Sequence, residues 1–486
     1  MKVAKRIMRL FAKFFGRIEN LFLCIFLIFG FLFVFMIPPG WNTDEPDHTY
    51  RIAQLTNANL LSEPVTSPYG NRAFGGYVPQ SFVGFYTELG VRDAGANAIN
   101  TGQRVNDLYE THPQIKSFKY SGNATAINFS GAALYSPVTY APYLPSFVIG
   151  KHFALSIYHT ILIARICGLL FVAGLLYFSI KKIVFGKWII FAIGLLPIVV
   201  IQATTIGADG PAIAVSVLFL TMFINTIFAT KKIKVRQYVI LAVIGIVLAL
   251  IKIGYTPLVG LILLIPFITN GYKSVKNVAL AFGATIIAVL PAFLWSRAVS
   301  YIDTNSNLQA NFPQQESFII HQPLIYIKTL FYTFFSDVQS PMQNLFGTSI
   351  WASASLPDIL AYLAVAILIV SALITSRRDI AVEKFFKKLP LLWRIAVLVI
   401  SLFTAVFIST ILYIYSSSLK QSSISGIQAR YFIPLLPFVL IALYGNKLTR
   451  QKGPKLFVVI ASVVMLSGML FVVYHRLYQN LPMILE

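Results

Sequence analysis

Apolar stretches of about 20 residues recur from end to end of this chain, separated by short basic segments and two long polar ones. A helix needs about 20 residues to cross a hydrocarbon core of ~30 Å, and in lipid the backbone must satisfy its own hydrogen bonds. The stretches therefore predict spanning helices at roughly 20–37, 158–180, 188–206, 209–229, 237–252, 255–270, 277–297, 357–376, 391–415, 429–446 and 455–474. The predicted fold is an all-α polytopic membrane protein, a bundle of about 11 transmembrane helices. A long first extracytoplasmic loop carries surface-lying helices. The division that follows is a basic N-terminus with the first helix (1–37), an outer loop with juxtamembrane helices (38–157), helices two to seven (158–297), a second outer loop (298–356) and the last four helices (357–486).

Two points of this layout rest on particular residues. Lys2, Lys5, Arg6, Arg9, Lys13 and Arg17 precede the first apolar run, as in a signal peptide. The run ends in Pro38-Pro39-Gly40 without a small-x-small cleavage pattern, so it reads as a retained span. The stretch 135–154 is apolar but holds Pro137, Pro142 and Pro145, and is laid along the outer membrane surface. Counting it as a span would carry Lys181, Lys182 and Lys187 to the outside.

Charge then orients the bundle. The segments 1–19, 181–187, 230–236, 271–276, 377–390 with Arg394, and 447–455 hold 25 of the 39 Lys and Arg, against Glu19, Asp379 and Glu383 alone. That bias predicts a multi-pass protein of the cell membrane with a cytoplasmic N-terminus. The net charge of +22 therefore reports topology and anionic headgroups, and no nucleic-acid partner is expected. Cys24 and Cys167 both fall in apolar runs, so no disulfide framework is readable.

The densest ionisable run is Asp44-Glu45-Pro46-Asp47-His48-Thr49-Tyr50-Arg51, just beyond the first span. Thr43-Asp44-Glu45 reads as a helix start, a capping residue followed by acids in the first turn. On that helix Asp44, His48 and Arg51 share a face at i, i+4 and i+7, and Asp47 and Arg51 are spaced for an ion pair. A carboxylate held there with His48 and Arg51 beside it suits a general base. A solvated, well-capped loop helix explains the same spacing.

Asp209, in Thr204-Thr205-Ile206-Gly207-Ala208-Asp209-Gly210-Pro211, is the only acid between Glu110 and Asp303 and falls on the same predicted side. Ordinary turn chemistry also accounts for it. With Asp44 it would make a base plus a substrate-orienting or metal-binding partner, so a divalent cation stays open. Lys252 and Arg430 both face outward at span ends, where the positive-inside bias gives neither a reason. Cations at headgroup level suit a phosphate or pyrophosphate, Arg through its planar fork, though a lysine near a helix end also simply snorkels. Arg165, in an apolar run, fits an anion contact or a structural pair equally. Trp351, Tyr140 and Tyr143 read most simply as belt aromatics, with Trp351 carried as a substrate contact. No histidine pair has metal-ligand spacing, and no nucleophile-elbow or phosphate-cradling glycine motif is present.

Six segments then invite comparison: IPPGWNTDEPDHTYRIAQL, LYSPVTYAPYLPSFVIGKHFALS, LLPIVVIQATTIGADGPAIA, LIKIGYTPL, GTSIWASASLP and ISGIQARYFIPLLP. In that order they resemble the signature of a bacterial membrane family known as domain of unknown function 2142, over nearly the whole chain. Ala429 departs from the glycine usual before Arg-Tyr-Phe. That family is in turn similar in layout to the GT-C glycosyltransferases, which use polyprenyl-phosphate sugars and carry an acid early in a long first outer loop. Asp44-Glu45 and Tyr50-Arg51 are loosely similar to the acid and Arg-Tyr pattern of the aminoarabinose transferases. The resemblance implies a GT-C-like bundle that transfers a sugar to a cell-envelope polysaccharide, teichoic acid or glycolipid. Asp44 and Asp209 would be catalytic, and Glu45, His48, Arg51, Lys252, Arg430 and Trp351 would contact substrate. A lipid-linked sugar flippase, an envelope-assembly scaffold and a polysaccharide polymerase are the rival readings.

Overall fold

A computed structural model describes residues 15–42, 44–66, 72–91, 104–228, 233–269, 273–302, 312–335, 356–374, 391–444 and 452–479. Every predicted span is helical within these residues, but the spans are of two kinds. Among the described residues, six helices are long and apolar enough to cross a membrane: Ile18–Met36, Ile157–Lys182, Asp209–Ile227, Val275–Ala298, Leu392–Ser416 and Lys452–Gln479. The other five segments are shorter or interrupted. The 188–206 span is two helices, Lys187–Gly194 and Pro197–Ala203, because Pro197 lacks the N–H to continue the first and instead opens the second. Residues 253–268 break likewise at Tyr255 and Gly260, and 429–442 begins as a tight 3-10 turn around Pro434.

The Asp209 helix (Asp209–Ile227) is the axis of the bundle. It packs between Ile157–Lys182 and Val235–Ile251, and 83% of its apolar window is buried. Val275–Ala298, at the rim, buries only 22% and turns Phe282, Ile286, Leu290 and Phe293 outward. A helix apolar on every side belongs in a core or in lipid, and these two mark those extremes.

The long segment after the first helix packs against the bundle. Helix Glu45–Leu55 is almost wholly enclosed, with Ile52, Ala53 and Leu55 in the core. An antiparallel sheet of three strands, β1 (Glu63–Thr66), β2 (Arg72–Pro79) and β3 (Ala124–Asn128), leans on it in the order β1-β2-β3. This sheet is an addition to the all-α expectation. At Gly75 a methyl group would stand 1.8 Å from the Ile127 carbonyl oxygen, so only glycine lets β2 and β3 approach there.

Within 135–154 the one α-helix is Leu144–His152, whose nine residues are about 13 Å long, too short to cross the hydrocarbon. One side of the segment is packed into the protein, while Val148, Ile149 and Phe153 stay exposed. Ser136 and Thr139 hydroxyls donate to the Leu250 and Ile251 carbonyls (2.8 and 3.1 Å), satisfying the orphan end of helix Val235–Ile251. Tyr140 and Tyr143 are fully buried, and Tyr143 donates to the carbonyls of Thr205 and Gly207. The belt role expected for both tyrosines is therefore corrected: their hydroxyls are bonded inside the protein.

Candidate functional site

The end of the first helix, the Glu45 helix and the turn before Asp209 meet at a single buried carboxylate. Glu45 accepts from Arg165 Nε (2.7 Å) and Nη2, from the Gly40 amide (2.8 Å) and from the Ile206 amide (3.2 Å). Arg165 also donates to the carbonyls of Ile37 (2.5 Å) and Pro38 (2.9 Å), which the end of the first helix leaves open. Both side chains have no exposed surface. Arg165 is thus a structural pair. Glu45, expected to contact substrate, has its oxygens occupied by the protein itself, and that role is corrected.

This clasp sets the two residues that flank it. Asp44, immediately before Glu45, is left-handed (φ 63°, ψ 1°), and its carbonyl receives the His48 amide at 3.2 Å. A left-handed residue that is not glycine costs about 1–2 kcal/mol, and such strain persists where surrounding structure dictates it. Thr43, the expected cap, lies outside the described residues. Three residues beyond Ile206, Asp209 opens its helix, and Gly210 lets the turn fold tightly: a methyl there would meet the Gln202 carbonyl oxygen at 2.5 Å.

Four charges converge between them. Asp209 Oδ1 lies 2.7 Å from Lys252 Nζ, and Oδ2 lies 2.8 Å from Arg430 Nε. The second of these is an ion pair by distance only, because the buried Nε–H does not point at the oxygen. Arg430 Nη2 donates to Asp44 Oδ2 at 2.5 Å. The Lys252 ammonium sits 3.8 Å from the centre of the Tyr431 ring, and Tyr255 holds the Tyr431 carbonyl at 2.9 Å. Lys252 reaches the cluster because helix Val235–Ile251 ends just before it and its own backbone is extended (φ −155°, ψ 110°). All four groups come from helix ends. The side chains of Arg430 and Asp209 are 6% and 10% exposed, while that of Asp44 is 43% exposed and forms the open lip of the cluster.

Above the charges stands an aromatic wall. His48 Nδ1 lies 2.7 Å from the Tyr140 hydroxyl, and its ring centre is 5.2 Å from that of Tyr135. Tyr140 is fully buried, so its hydroxyl satisfies itself by donating to Nδ1, which assigns the remaining proton to His48 Nε2. Burial holds the imidazole neutral, pushing its pKa to about 4 although Asp44 favours the charged form. Gly207 leaves the ring edge clear, since a methyl there would lie 3.6 Å from Nε2. Asp47, partly buried beside Gly131, is raised to about 8 by burial and then by the Asp44 charge.

Asp44, His48, Asp209, Lys252 and Arg430 are therefore brought together as the sequence suggested. Arg51 is not. It is fully buried and donates to Gln54 Oε1 and, at 2.6 Å, to the Leu60 carbonyl, so the expected pair with Asp47 does not form and its substrate-contact role is corrected. Trp351 lies outside the described residues. Nothing in the sequence marks Tyr135, Tyr140 or Tyr255 as site residues, and only adjacency to Arg430 marks Tyr431. Among the described residues, no three His, Cys, Asp or Glu side chains gather as metal ligands.

Comparison with curated proteins finds no match, and comparison with solved structures finds none either. Residues 27–439 match the family described as "Predicted membrane protein (DUF2142)". All five residues of the charged and imidazole cluster lie inside that match, and the chain belongs to this family of membrane proteins.

Proposed function

We propose that this protein is a GT-C-like glycosyltransferase, moving a sugar from a polyprenyl-phosphate donor to a cell-envelope glycan or glycolipid on the extracytoplasmic side. The observation that carries the reading is the convergence of Asp44, Asp209, Lys252 and Arg430 at one end of the bundle, with only Asp44 substantially exposed. The positive-inside bias supports an external site and a cytoplasmic N-terminus.

The ion pairs suggest an exchange. A donor phosphate oxygen that takes Arg430 displaces the more exposed carboxylate, Asp44, and leaves Asp209 to hold Lys252 and Arg430 in place. Freed from its cation, Asp44 accepts the acceptor's hydroxyl proton as that oxygen attacks the anomeric carbon. The bond from that carbon to the phosphate oxygen breaks with inversion, and the lipid phosphate leaves with the electron pair. Lys252 and Arg430 offset its charge, a contribution that in such sites is commonly large. His48, neutral and donating through Nε2, orients the acceptor.

Mass analysis of envelope glycans tests this in cells lacking the protein and re-supplied with wild type, Asp44→Asn or Arg430→Gln. The glycan lost on deletion returns with wild type and with neither variant at equal protein level. Full restoration by Asp44→Asn would remove the base from the mechanism and return the chain to a scaffold or flippase role. A chelator added to a membrane assay reports on any divalent cation.

A further inference from the structure

The second outer loop contains two helices, of which the second has a surface that does not suit water. Phe312–His321 and Pro323–Phe335 follow one another across Gln322, and Pro323 sets the break. One side of the pair is fastened to the long helix Leu392–Ser416. Tyr326 and Thr410 hydroxyls are 2.7 Å apart, the Tyr326 and Tyr413 rings are 5.3 Å apart, and Gln315 donates to the Tyr413 carbonyl at 3.3 Å. The other side is open and bulky: Ile320, Leu324, Phe331 and Phe335 are 71%, 80%, 63% and 66% exposed. The only charge on Pro323–Phe335 is Lys328, which is exposed on that same face between Leu324 and Phe331, where its stem can lie along the apolar surface and carry the ammonium to the headgroups.

Three observations say what covers that side. First, Thr410 lies six residues before the end of Leu392–Ser416, about 9 Å along its axis, so the pair is fastened within the length of a helix able to cross the membrane. Second, that helix turns Leu402 and Phe403 outward in the same manner, so the apolar surface of the pair continues a lipid-facing one. Third, Pro323–Phe335 carries no glycine, alanine or serine, the small residues that let helices pack closely in a membrane. Bulky aliphatic and aromatic side chains fit mobile acyl chains better than a second copy of this chain.

We infer that Pro323–Phe335, led in by Phe312–His321, is a re-entrant element seated in the hydrocarbon edge of the bilayer, its outer side covered by lipid acyl chains. Thirteen residues are about 20 Å long, enough to enter the hydrocarbon and too few to cross it. The element also meets the candidate site. Thr333 Oγ1 accepts the Ile424 amide at 3.0 Å, and the Phe334 ring is 5.6 Å from Phe432, two residues beyond Arg430. It therefore fences the flank of the charged cluster from lipid and sets the Arg430 turn at headgroup depth, whatever chemistry occurs there.

Spin labels test the placement in the full chain in nanodiscs, with Cys24 and Cys167 replaced by alanine. Single cysteines at Leu324, Phe331 and Phe335 are compared with Phe403→Cys as the lipid reference and Asn123→Cys, on an exposed loop, as the aqueous one. The three labels are expected to relax with oxygen and resist a nickel chelate, as at position 403. Nickel accessibility like that at 123 overturns the inference, as does label-to-label broadening between two copies. Because cysteine variants can fail to fold, the unmodified protein is also irradiated with a photoreactive acyl-chain phospholipid and mapped by mass spectrometry. Adducts within 320–335 support the placement, and adducts on 275–298 and 392–416 with none on 320–335 overturn it.

Discussion

Breaking the Glu45–Arg165 clasp is the sharpest test of how the site is held. Neither side chain has exposed surface, and between them they satisfy two amides and two carbonyls from two separate segments, 37–40 and Ile206. Glu45→Gln keeps the shape but presents an NH2 group to Arg165 or to an amide, so one donor faces another. Arg165→Met removes the cation and leaves a buried carboxylate. Removing one partner of such a pair costs about 3–5 kcal/mol, because the survivor is an uncompensated buried charge. The double variant loses both charges together, so its cost falls short of the sum of the singles by about 0.5–3 kcal/mol. Equilibrium unfolding in mixed micelles measures all three. Single-variant costs below about 1 kcal/mol, or a strictly additive double, would refute the claim that this pair organises the junction.

Three further expectations follow from the same geometry. Asp47 is raised to about 8 in the fold from its ordinary 3.8, so the native state binds the extra proton and stability is complete below about 4 and lost as pH rises through 8. Asp47→Asn, which mimics the protonated acid, should flatten that part of the pH–stability curve, and an unchanged slope would sink the assignment. Tyr140→Phe leaves His48 Nδ1 without its donor, a loss of about 1–3 kcal/mol for a buried acceptor. Nitrogen NMR should show Nε2-protonated His48 in the wild type and a tautomer mixture in the variant; an Nδ1 proton in the wild type would be the contrary result. Gly210→Ala drives a methyl into the Gln202 carbonyl and should sharply reduce folded yield, whereas Gly283→Ala has nothing within 4 Å and should stabilise its helix by about 0.5–1 kcal/mol. Equal yields from the two variants would show the Asp209 turn to be looser than its packing implies.

Local pattern alone marked the long apolar helices and the charge that flanks them, though not the helices of the loops such as Pro323–Phe335. Those signals are short-ranged: hydrophobic length, proline and the Lys/Arg bias are read within one segment, and each of the eleven stretches holds helix where described, some of it broken at a proline or a turn. The same short-range logic picked Asp44, His48, Asp209, Lys252 and Arg430 as polar residues that a membrane boundary does not explain. It failed wherever the deciding partner was distant in sequence. Glu45 and Asp44 are neighbours of one charge and looked equivalent, yet only tertiary packing turns one onto Arg165, 120 residues away, and the other onto Arg430, 386 residues away. Arg51 matched the spacing of an ion pair, but burial gave it Gln54 and a carbonyl instead. Tyr140 and Tyr143 had the composition of an interfacial belt, and only folding revealed that their hydroxyls are needed to bond His48 and the Gly207 turn. In a bundle this apolar, each buried polar group must find a partner, and the partner it finds depends on which helix ends the packing brings together.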